Sequence, residues 1–548
     1  MLNKKFSLVL FILLVTPIMS CQDDFLERTP TDQISAKLAL QSEQNMQLIL
    51  NGVHRSLYVQ LVDLIQGASS NRAGEHYWIP IGDLLSGGII HSANANNLGW
   101  RDEMQWNNHT LDTDTTVEML WHHRYNTILH ANILINGILS GVLPETEGLN
   151  TILGQAYTYR AYSYLSLIQH YAKGYLIGNP ATDPGVPLLF SSEDPYTSEP
   201  RSSVQVIYDQ IGADLEAAIA AFQNGEPRPV STAFDKSQLN IDVANGVKAR
   251  WALSKGDWQT AADAAIAARE DYPLMDESAY KSGFNTTLLS EVIWGSNVIS
   301  TETTYYRSYF YLASNTFNGS QIRTNPKIAD RRIVDAIPET DYRGDLFLPL
   351  APNTNTSAAN GQGGFGNDPN YLVEEDFETV RDSLYADLGI TSRFNLHPYM
   401  HKKLRNANPG SIDPDDLIHM RSSEMYLIEA EAKAMMNDIS GAQAALSTLG
   451  GERDSAYNVT AYNTQAALME HIKFQRRVEL WGEGYGYTDM IRWDEGIDHA
   501  ANGGSGASEI LYQNAYKVDR PSQNTEWLFK IPLQEINANP NISASDQN

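Results

Sequence analysis

The residues that decide the fold lie between Arg421 and Trp493. RSSEMYLIEAEAKAMMNDISGAQAALSTL occupies residues 421–449, and NTQAALMEHIKFQRRVELWGEGYGYTDMIRW occupies residues 463–493. In the first segment Met425, Ile428 and Ala432 recur at three- and four-residue spacing, which predicts a helix with one buried face. The second segment predicts a helix that leads into residues 476–484, a run too charged for a buried strand.

A helical hairpin is predicted twice, at residues 241–269 and 421–449. Each segment combines alanine-rich helices with a short polar turn, at residues 255–257 in the first and 437–438 in the second. Small residues let paired helices approach closely, and such helix-turn-helix units are the repeats of tetratricopeptide-type arrays. We therefore expect a mainly α fold, a tetratricopeptide-like helical superhelix. Long irregular, partly β insertions, above all residues 271–419, are expected to carry the ligand site.

Composition limits the ligands of this chain. It has 548 residues, 42% of them hydrophobic, which is enough to fill a large core, and a formal net charge of −27. Removal of the first 20 residues with their two lysines leaves −29. So acidic a surface repels nucleic acid and anionic lipid, and it favours neutral or cationic ligands. The alternative is that the charge serves only solubility.

The N-terminus predicts export and lipidation. Lys4 and Lys5 precede a short apolar run that ends at Met19, as in a signal peptide spanning residues 1–20. Cys21 follows directly and is the only cysteine of the chain, so it has no internal disulfide partner. We expect Cys21 to be lipidated, because Ile18 to Cys21 resembles a bacterial lipobox. The acidic pair Asp23-Asp24 resembles the signal that sends such lipoproteins to the outer leaflet.

Three blocks of this sequence resemble the SusD/RagB family, the surface nutrient-binding lipoproteins of Bacteroidetes. They are RSSEMYLIEAEAKAM at 421–435, RRVELWGEGYGYTDMIRW at 476–493 and FKIPLQEINANPNIS at 529–543. Asp341-Tyr342-Arg343 and the tyrosine-lysine strand of Tyr399, Lys402 and Lys403 also resemble family elements. The resemblance implies one nutrient-binding domain over residues 21–548, with halves at about 21–230 and about 231–548, and it implies the helical scaffold expected above.

The same resemblance implies a function. The protein would be a cell-surface glycan-binding lipoprotein of the outer membrane that captures oligo- or polysaccharide and delivers it to a SusC-like TonB-dependent transporter. It would not be an enzyme, and it would need no cofactor. Two alternatives stay open: a peptide-binding member of the same family, and a surface-anchored glycoside hydrolase.

Two segments carry the candidate ligand residues. Residues 67–114 are rich in Gly, Asn and Ser with large aromatics among them, and residues 305–311 form an aromatic cluster. Long irregular stretches inside a compact domain are usually functional, and sugar recognition needs flat aromatic faces beside amide groups. The candidates are Trp78, Asn96, Trp100, Trp106, Tyr305, Tyr306 and Tyr309.

Other motifs favour structural roles. GxGxxG at 361–366 has no strand before it and no helix after it, so it does not predict a phosphate site. His122 and His123 are expected to be solvated or capped on a helix. Asp413 to Asp416 could hold calcium, although a solvated turn is favoured. Five glutamates that a hydrolase could use are expected instead to pair with arginines, namely Glu424, Glu429, Glu431, Glu479 and Glu483.

Overall fold

The structure is a computed structural model of the chain. It describes residues 40–59, 74–91, 101–190, 198–229, 232–303, 308–316, 327–352, 371–372, 382–383, 386–388, 398–498, 519–522 and 525–548. None of the helices in these ranges is long and apolar enough to cross a membrane.

The described part is mostly helical. Its α-helices are α1 (Glu43–Ser56), α2 (Gly74–Leu85), α3 (Arg101–Met104), α4 (Thr115–Leu139), α5 (Glu147–Tyr171), α6 (Val204–Gln223), α7 (Ile241–Lys255), α8 (Trp258–Arg269), α9 (Glu277–Tyr280), α10 (Tyr309–Ala313), α11 (Arg331–Val334), α12 (Ser422–Met435), α13 (Ile439–Arg453), α14 (Gln465–Glu479), α15 (Gly486–Arg492) and α16 (Leu533–Ala538). Its strands are β1 (Ile89–His91), β2 (Pro184–Pro187), β3 (Arg201–Ser203), β4 (Val292–Ser296), β5 (Lys327–Ala329), β6 (Phe347–Leu348), β7 (Ala351–Pro352), β8 (Tyr371–Leu372), β9 (Met400–His401), β10 (Leu417–Arg421), β11 (Ile497–Asp498) and β12 (Asp519–Arg520).

The long helices stack side by side in chain order. Helix α4 packs on α5, α5 on α6, α6 on α7 and α7 on α8; α8 then packs on α12, which pairs with α13 and α14. This order skips the insertion between α8 and α12, so the two predicted hairpins are neighbours in one array. The mainly α, tetratricopeptide-like fold is confirmed.

The turns of the two hairpins have the same backbone conformation. Gly256 (φ 79°) and Asn437 (φ 61°) are left-handed, and each is followed by an aspartate that caps the next helix. Asp257 has φ −83° and ψ 73°, and Asp438 has φ −82° and ψ 77°. Glycine and asparagine adopt the left-handed region at little cost, which explains their use at these positions. The two hairpins are therefore structural repeats.

Alanines form the contact surfaces of these hairpins. The buried alanines of α8 face α7 and α12 and are essentially inaccessible to solvent: Ala261, Ala262, Ala265 and Ala268. A second cluster of buried side chains lies between α12, α13 and α14, with Leu427, Leu446 and Leu468 at its centre. Close helix approach through small residues is thus confirmed.

Short antiparallel sheets order the insertion between α8 and α12. Strand β4 is antiparallel to β10, and Ser296 lies opposite Leu417. The four strands β1, β5, β9 and β6 form an antiparallel sheet in that order. In this sheet His91 lies opposite Lys327, and Phe347 lies opposite His401.

The expectation that residues 67–114 are irregular was wrong for α2. This helix spans Gly74–Leu85 and is buried on almost every side, apart from Ile79. Two glycines, Gly74 and Gly82, weaken its helix propensity. Pro80 within it also lowered the helical signal.

Side-chain caps set the starts of three helices. Helix α1 begins at Glu43, where Ser42 caps it, and ends at Ser56. Helix α5 begins at Glu147, because the Thr146 side chain accepts from Leu149 N. Ser203 caps α6 by accepting from Val206 N.

Candidate functional site

The described candidates from the sequence are buried side chains with structural contacts. Trp106 is 2% exposed; its Nε1 donates to Leu85 O at 3.0 Å, and its ring packs edge-on against Trp527. Tyr309 is 5% exposed and donates its hydroxyl to Gly482 O at 2.7 Å. These two rings therefore do not form the exposed platform that the sequence predicted, because the protein itself covers their faces.

Trp78 lies on α2 and lines a partly open cavity of about 140 Å³. The same cavity is lined by Glu75 and Arg124, whose side chains form a buried ion pair at 2.5 Å. Burial opposes ionisation of Glu75, but the Arg124 charge outweighs it and holds the pKa of Glu75 at about 2. Ligand sites usually enclose about 300–1,000 Å³, so this space suits a few water molecules better than a sugar chain.

The remaining candidates, Asn96, Trp100, Tyr305 and Tyr306, lie outside the described residues, as does Cys21. The segment that holds Asn96 and Trp100 directly follows a strand of the four-stranded sheet. Strand β1 ends at His91, directly before residue 92, and β5 begins at Lys327, directly after residue 326. The two strands are antiparallel, with His91 opposite Lys327, so the chain leaves and re-enters the described part at the same end of this sheet.

A buried ion cluster joins the insertion to the helical scaffold. Its members are Glu291, Arg343, Lys403, Arg421, Arg453, Glu479 and Glu483. Arg421 donates to Glu291 at 2.5 Å and to Glu479 at 3.1 Å, and all three side chains are fully buried. Arg343, in the DxR element, reaches Glu479 at 3.0 Å while it also holds Asp341.

The cluster fixes the charge of its carboxylates. Burial alone would raise the pKa of Glu479, but the charges of Arg453, Arg421 and Arg343 hold it well below its ordinary value. The pKa of Glu483 is lowered in the same way by Arg421 and Lys403 against the effect of burial. A carboxylate that is held ionised cannot donate a proton to a leaving group.

The other three glutamates that were considered as possible hydrolase carboxylates also form ion pairs with arginines. Glu424 binds Arg250 at 2.7 Å and Glu429 binds Arg269 at 2.5 Å. Glu431 accepts from both terminal nitrogens of Arg492. The prediction of structural ion pairs is confirmed, although Arg250 and Arg269 were not among the partners expected.

The aspartates at 413–416 are engaged by protein donors. Asp415 accepts from Asn406 Nδ2 and from Ala407 N, both at 3.1 Å, and burial raises its pKa to about 6. Asp416 accepts from Thr287 N and from Val298 N at 3.0 Å. Within the described ranges no group of three or more His, Cys, Asp or Glu side chains is arranged to hold a metal ion.

His123 was expected to be solvated or capped, and this was wrong. Its ring is 1% exposed between the helices, and burial lowers its pKa to about 3. His122, one position earlier, keeps 38% of its side chain exposed. The two histidines differ because adjacent helical positions point about 100° apart.

An open groove of about 340 Å³ lies between α14, α15, the turn that follows α2, α11 and β11. We call it the tryptophan groove; Phe474, Trp481 and Trp493 line it. Trp481 forms its buried floor and donates Nε1 to Gly88 O at 2.7 Å. Trp493 is only partly buried, with Nε1 donated to Glu431 at 3.0 Å and the Arg492 guanidinium 4.7 Å from the ring centre.

Charged groups around this groove pair with one another. Asp330 accepts from Arg332 at 2.6 Å, and Glu495 binds both Arg477 and Lys473. Most charged groups that line the groove are held in such pairs, so the groove presents aromatic surface that suits an uncharged ring better than an ion. Its volume falls within the usual range for ligand sites.

Sequence reasoning did not nominate Phe474 or Trp493. Both lie in helical segments whose aromatic residues were attributed to the scaffold, and helical periodicity cannot separate a half-exposed ring from a buried one. A usable signal was the position of Trp493 directly after Arg492 and near Arg477, since cations commonly lie over exposed tryptophan faces.

Models of known families match both halves of the chain. Residues 290–548 match the model of the SusD family. Residues 25–237 match a model described as starch-binding associating with outer membrane. Among curated proteins, the chain is 21% identical over 532 residues to a SusD-like protein of Formosa agariphila, covering 90% of this chain and 92% of that protein.

Solved structures share the fold. A SusD-like carbohydrate binding protein from Bacteroides vulgatus superposes with a TM-score of 0.69 at 20% identity, covering 92% of this chain and 98% of the other. Surface glycan-binding protein A from Bacteroides fluxus superposes with a TM-score of 0.62 at 17% identity, covering 91% of this chain and 97% of the other. The family matches on both sides of residues 238–289, with this shared fold, identify the chain as a member of the SusD/RagB family.

Proposed function

We propose that this protein is a surface glycan-binding lipoprotein that captures neutral oligo- or polysaccharide and delivers it to a SusC-like TonB-dependent transporter of the outer membrane. The observation that carries the proposal is the match of both halves of the chain to SusD-type family models. One of these models is described as starch-binding, and solved relatives are described as carbohydrate-binding or glycan-binding proteins.

The charge of the protein supports a neutral ligand. A net charge of −27 disfavours polyanions. The tryptophan groove adds aromatic surface at Trp493, which is partly buried and has the Arg492 guanidinium 4.7 Å from its ring centre. Flat rings stack on the C–H faces of pyranoses, so this chemistry fits a sugar ring.

The state of the carboxylates supports binding over hydrolysis. Glycoside hydrolysis needs two carboxyl groups that can act on either side of one glycosidic bond. Glu479 and Glu483 are locked in the buried ion cluster, and Glu431 holds Arg492. The glutamates that the sequence offered for catalysis are therefore committed to holding elements together.

The location is proposed from the sequence. A lipid chain on Cys21 would anchor the protein to the outer membrane, facing outward, beside the transporter. Stable anchoring takes more than one acyl chain, which a bacterial lipoprotein cysteine supplies. Co-purification with the transporter from outer membranes, lost on Cys21→Ser, is the result expected; co-purification that survives the substitution would show that docking does not need the anchor.

The test of ligand class is direct. The purified chain without its first 20 residues is run in affinity gels that contain starch, β-glucan, galactomannan or arabinoxylan, and it is titrated with oligopeptides by calorimetry. Retention by a polysaccharide without release of reducing ends supports the proposal. Binding to peptides alone would move the function to peptide capture, and release of reducing ends would show a hydrolase.

A further inference from the structure

A second open groove, of about 610 Å³, lies on the scaffold itself. Its walls are residues 336–341, residues 454–462 and one face of α14. We call it the tyrosine groove, because Tyr457 and Tyr462 line it together with His471 and Phe474. Its volume is within the range of ligand sites and more than four times that of the cavity beside Trp78.

The rings of the tyrosine groove are fixed by one another. His471 stacks on Tyr462 with ring centres 3.8 Å apart and an angle of 11° between the planes. The hydroxyl of Tyr457 shares a hydrogen bond of 2.8 Å with His471 Nε2. The Tyr457 ring also rests on Gly450, where a Cβ would overlap it. Rings held in place before binding lose little conformational entropy when a ligand arrives.

His471 contributes a flat ring rather than a charge. Burial, helped by the nearby Arg343 charge, lowers the pKa of His471 to about 4. At neutral pH its imidazole is therefore uncharged. The partly buried Tyr462 ring, backed by His471, which is 8% exposed, then presents aromatic surface, the kind that packs against the C–H face of a sugar ring.

Two amides in the groove keep their NH₂ groups available. Asn458 Oδ1 accepts from Thr460 N at 3.0 Å and from Thr460 Oγ1 at 2.7 Å. Gln475 Oε1 accepts from Arg343 Nη2 at 2.7 Å. These contacts fix both amide orientations, and among the described residues neither NH₂ group donates to a partner. Each can donate to a hydroxyl oxygen of a ligand.

The charged groups that line the groove are all acidic. Asp341, Asp454 and Glu470 line it, whereas none of its described lining residues is a lysine or arginine. This arrangement repels phosphates and uronates and leaves carboxylate acceptors for hydroxyl groups. A peptide strand would need a free strand edge, but Asp341 and Asp454 already pair with each other as a β-bridge.

We propose that the tyrosine groove is a second glycan subsite, which binds rings of a neutral oligosaccharide on the stack of Tyr462 and His471 and reads hydroxyls with Asn458 and Gln475. Phe474 lines both this groove and the tryptophan groove, so one glycan chain can run from one into the other. The inference rests on the proposed function and extends it to a binding surface outside the aromatic residues that the sequence nominated.

A bulky side chain tests the groove without removing any of its core contacts. Ala467 lines the groove on α14, whereas Ala466 is exposed on the same helix turn and does not line it. Ala467→Trp is expected to weaken retention by the polysaccharide that holds the wild-type protein by about tenfold or more, because loss of one of two linked subsites removes avidity. Ala466→Trp, the matched control, is expected to leave retention unchanged.

A second variant tests the hydrogen bonding. Asn458→Asp keeps the oxygen that accepts from Thr460, replaces the NH₂ donor by a second acceptor oxygen and adds a negative charge. A several-fold loss of affinity is expected in calorimetry with an oligosaccharide of the retained polymer. Thermal unfolding of each variant, compared with wild type, verifies that the fold is intact.

The outcomes separate this inference from the proposed function. If a polysaccharide retains the wild-type protein, and Ala467→Trp and Asn458→Asp bind glycan as tightly as wild type does, the second subsite is overturned. The proposal of glycan capture would then still stand. Loss of peptide binding rather than glycan binding in Ala467→Trp would overturn the ligand class of the groove. Absence of any glycan binding by wild type would overturn both.

Discussion

Glu479 accepts a hydrogen bond from Arg421 at 3.1 Å, and neither side chain is exposed to solvent. The contact links the strand β10, at the end of the insertion, to the end of α14. Arg453 and Arg343 approach the same carboxylate from two other segments. One buried carboxylate therefore joins four parts of the chain.

Loss of this carboxylate should destabilise the protein strongly. Glu479→Gln leaves buried guanidinium groups without enough negative charge, so we expect a loss of about 3 kcal/mol or more in the free energy of unfolding. Glu470 is 76% exposed and pairs with Lys473 at 3.2 Å. Glu470→Gln, the control, should cost less than about 1 kcal/mol. Denaturant unfolding measures both, and equal losses would contradict the role given to burial.

Stability should fall as pH rises through the titration of Asp83. Burial raises the pKa of Asp83 from 3.8 to about 7, partly opposed by the hydrogen bond from Gly484 N at 2.8 Å. The folded state binds the Asp83 proton more tightly than the unfolded state does. The contribution of this proton to stability is therefore complete below pH 3.8 and is lost between about pH 4 and 7. The slope is at most about 1.4 kcal/mol per pH unit.

Asp83→Asn removes this titration and keeps an oxygen that can accept from Gly484. Unfolding measured at a series of pH values should therefore show the variant gaining stability relative to wild type from pH 4 to 7. A difference between the two proteins that stays constant across that range would refute the assignment.

Substitution by alanine at two helical glycines should change the stability of the protein in opposite directions. A Cβ at Gly82 of α2 would collide with the carbonyl oxygen of Gly484, itself at φ 90°, so Gly82→Ala should cost about 1–3 kcal/mol. Gly52 of α1 has no neighbouring atom within 4 Å of an added Cβ. Gly52→Ala should stabilise the protein by up to about 1 kcal/mol through helix propensity. Thermal unfolding of both variants gives the comparison.

The two hairpin turns should contribute equally to the free energy of unfolding. Asp257 accepts from Thr260 N and Asp438 accepts from Gly441 N at the starts of α8 and α13. Asp257→Ala and Asp438→Ala should each cost about 1 kcal/mol. Because the two turns share no partner, the double variant should lose the sum of the two values. Strong non-additivity in denaturant unfolding would mean that the two repeats are coupled.

Ligand affinity should depend on the aromatic residues that the sequence nominated in the irregular segments. Trp100→Ala and Tyr306→Ala are each expected to weaken glycan binding by about 1–3 kcal/mol, by analogy with the stacking of bases on aromatic rings. Trp106→Ala instead removes a core ring and should cost about 3–5 kcal/mol of stability. Calorimetry and thermal unfolding separate the two effects; unchanged affinity in both Trp100→Ala and Tyr306→Ala would remove these residues from the site.

The scaffold was predictable because its information is local. Helix α12 shows apolar periodicity, and α7, α8, α12 and α13 have alanine-rich faces and polar turns that end in an aspartate cap, each readable within a few residues. Helix α2 was missed because Gly74, Pro80 and Gly82 lower its helix propensity.

The grooves were less predictable because they depend on contacts between distant segments. Trp106 was nominated for its aromatic ring, yet Trp527, more than 400 positions away, covers it. Conversely, Tyr457-Asn458 and Tyr462-Asn463 pair aromatic and amide residues just as the nominated segments do. Sequence composition shows that such residues are present, whereas only the fold shows which of them are open to a ligand.

The pairing of β4 with β10 has an evolutionary consequence. Ser296 and Leu417 lie opposite each other, so residues 297–416 leave and rejoin the scaffold at a single point. The entropic cost of closing such a loop grows by only about 0.6 kcal/mol for each doubling of its length. Selection can therefore lengthen this segment at little entropic cost, provided that Arg343 and Lys403 within it keep their contacts with Glu479 and Glu483.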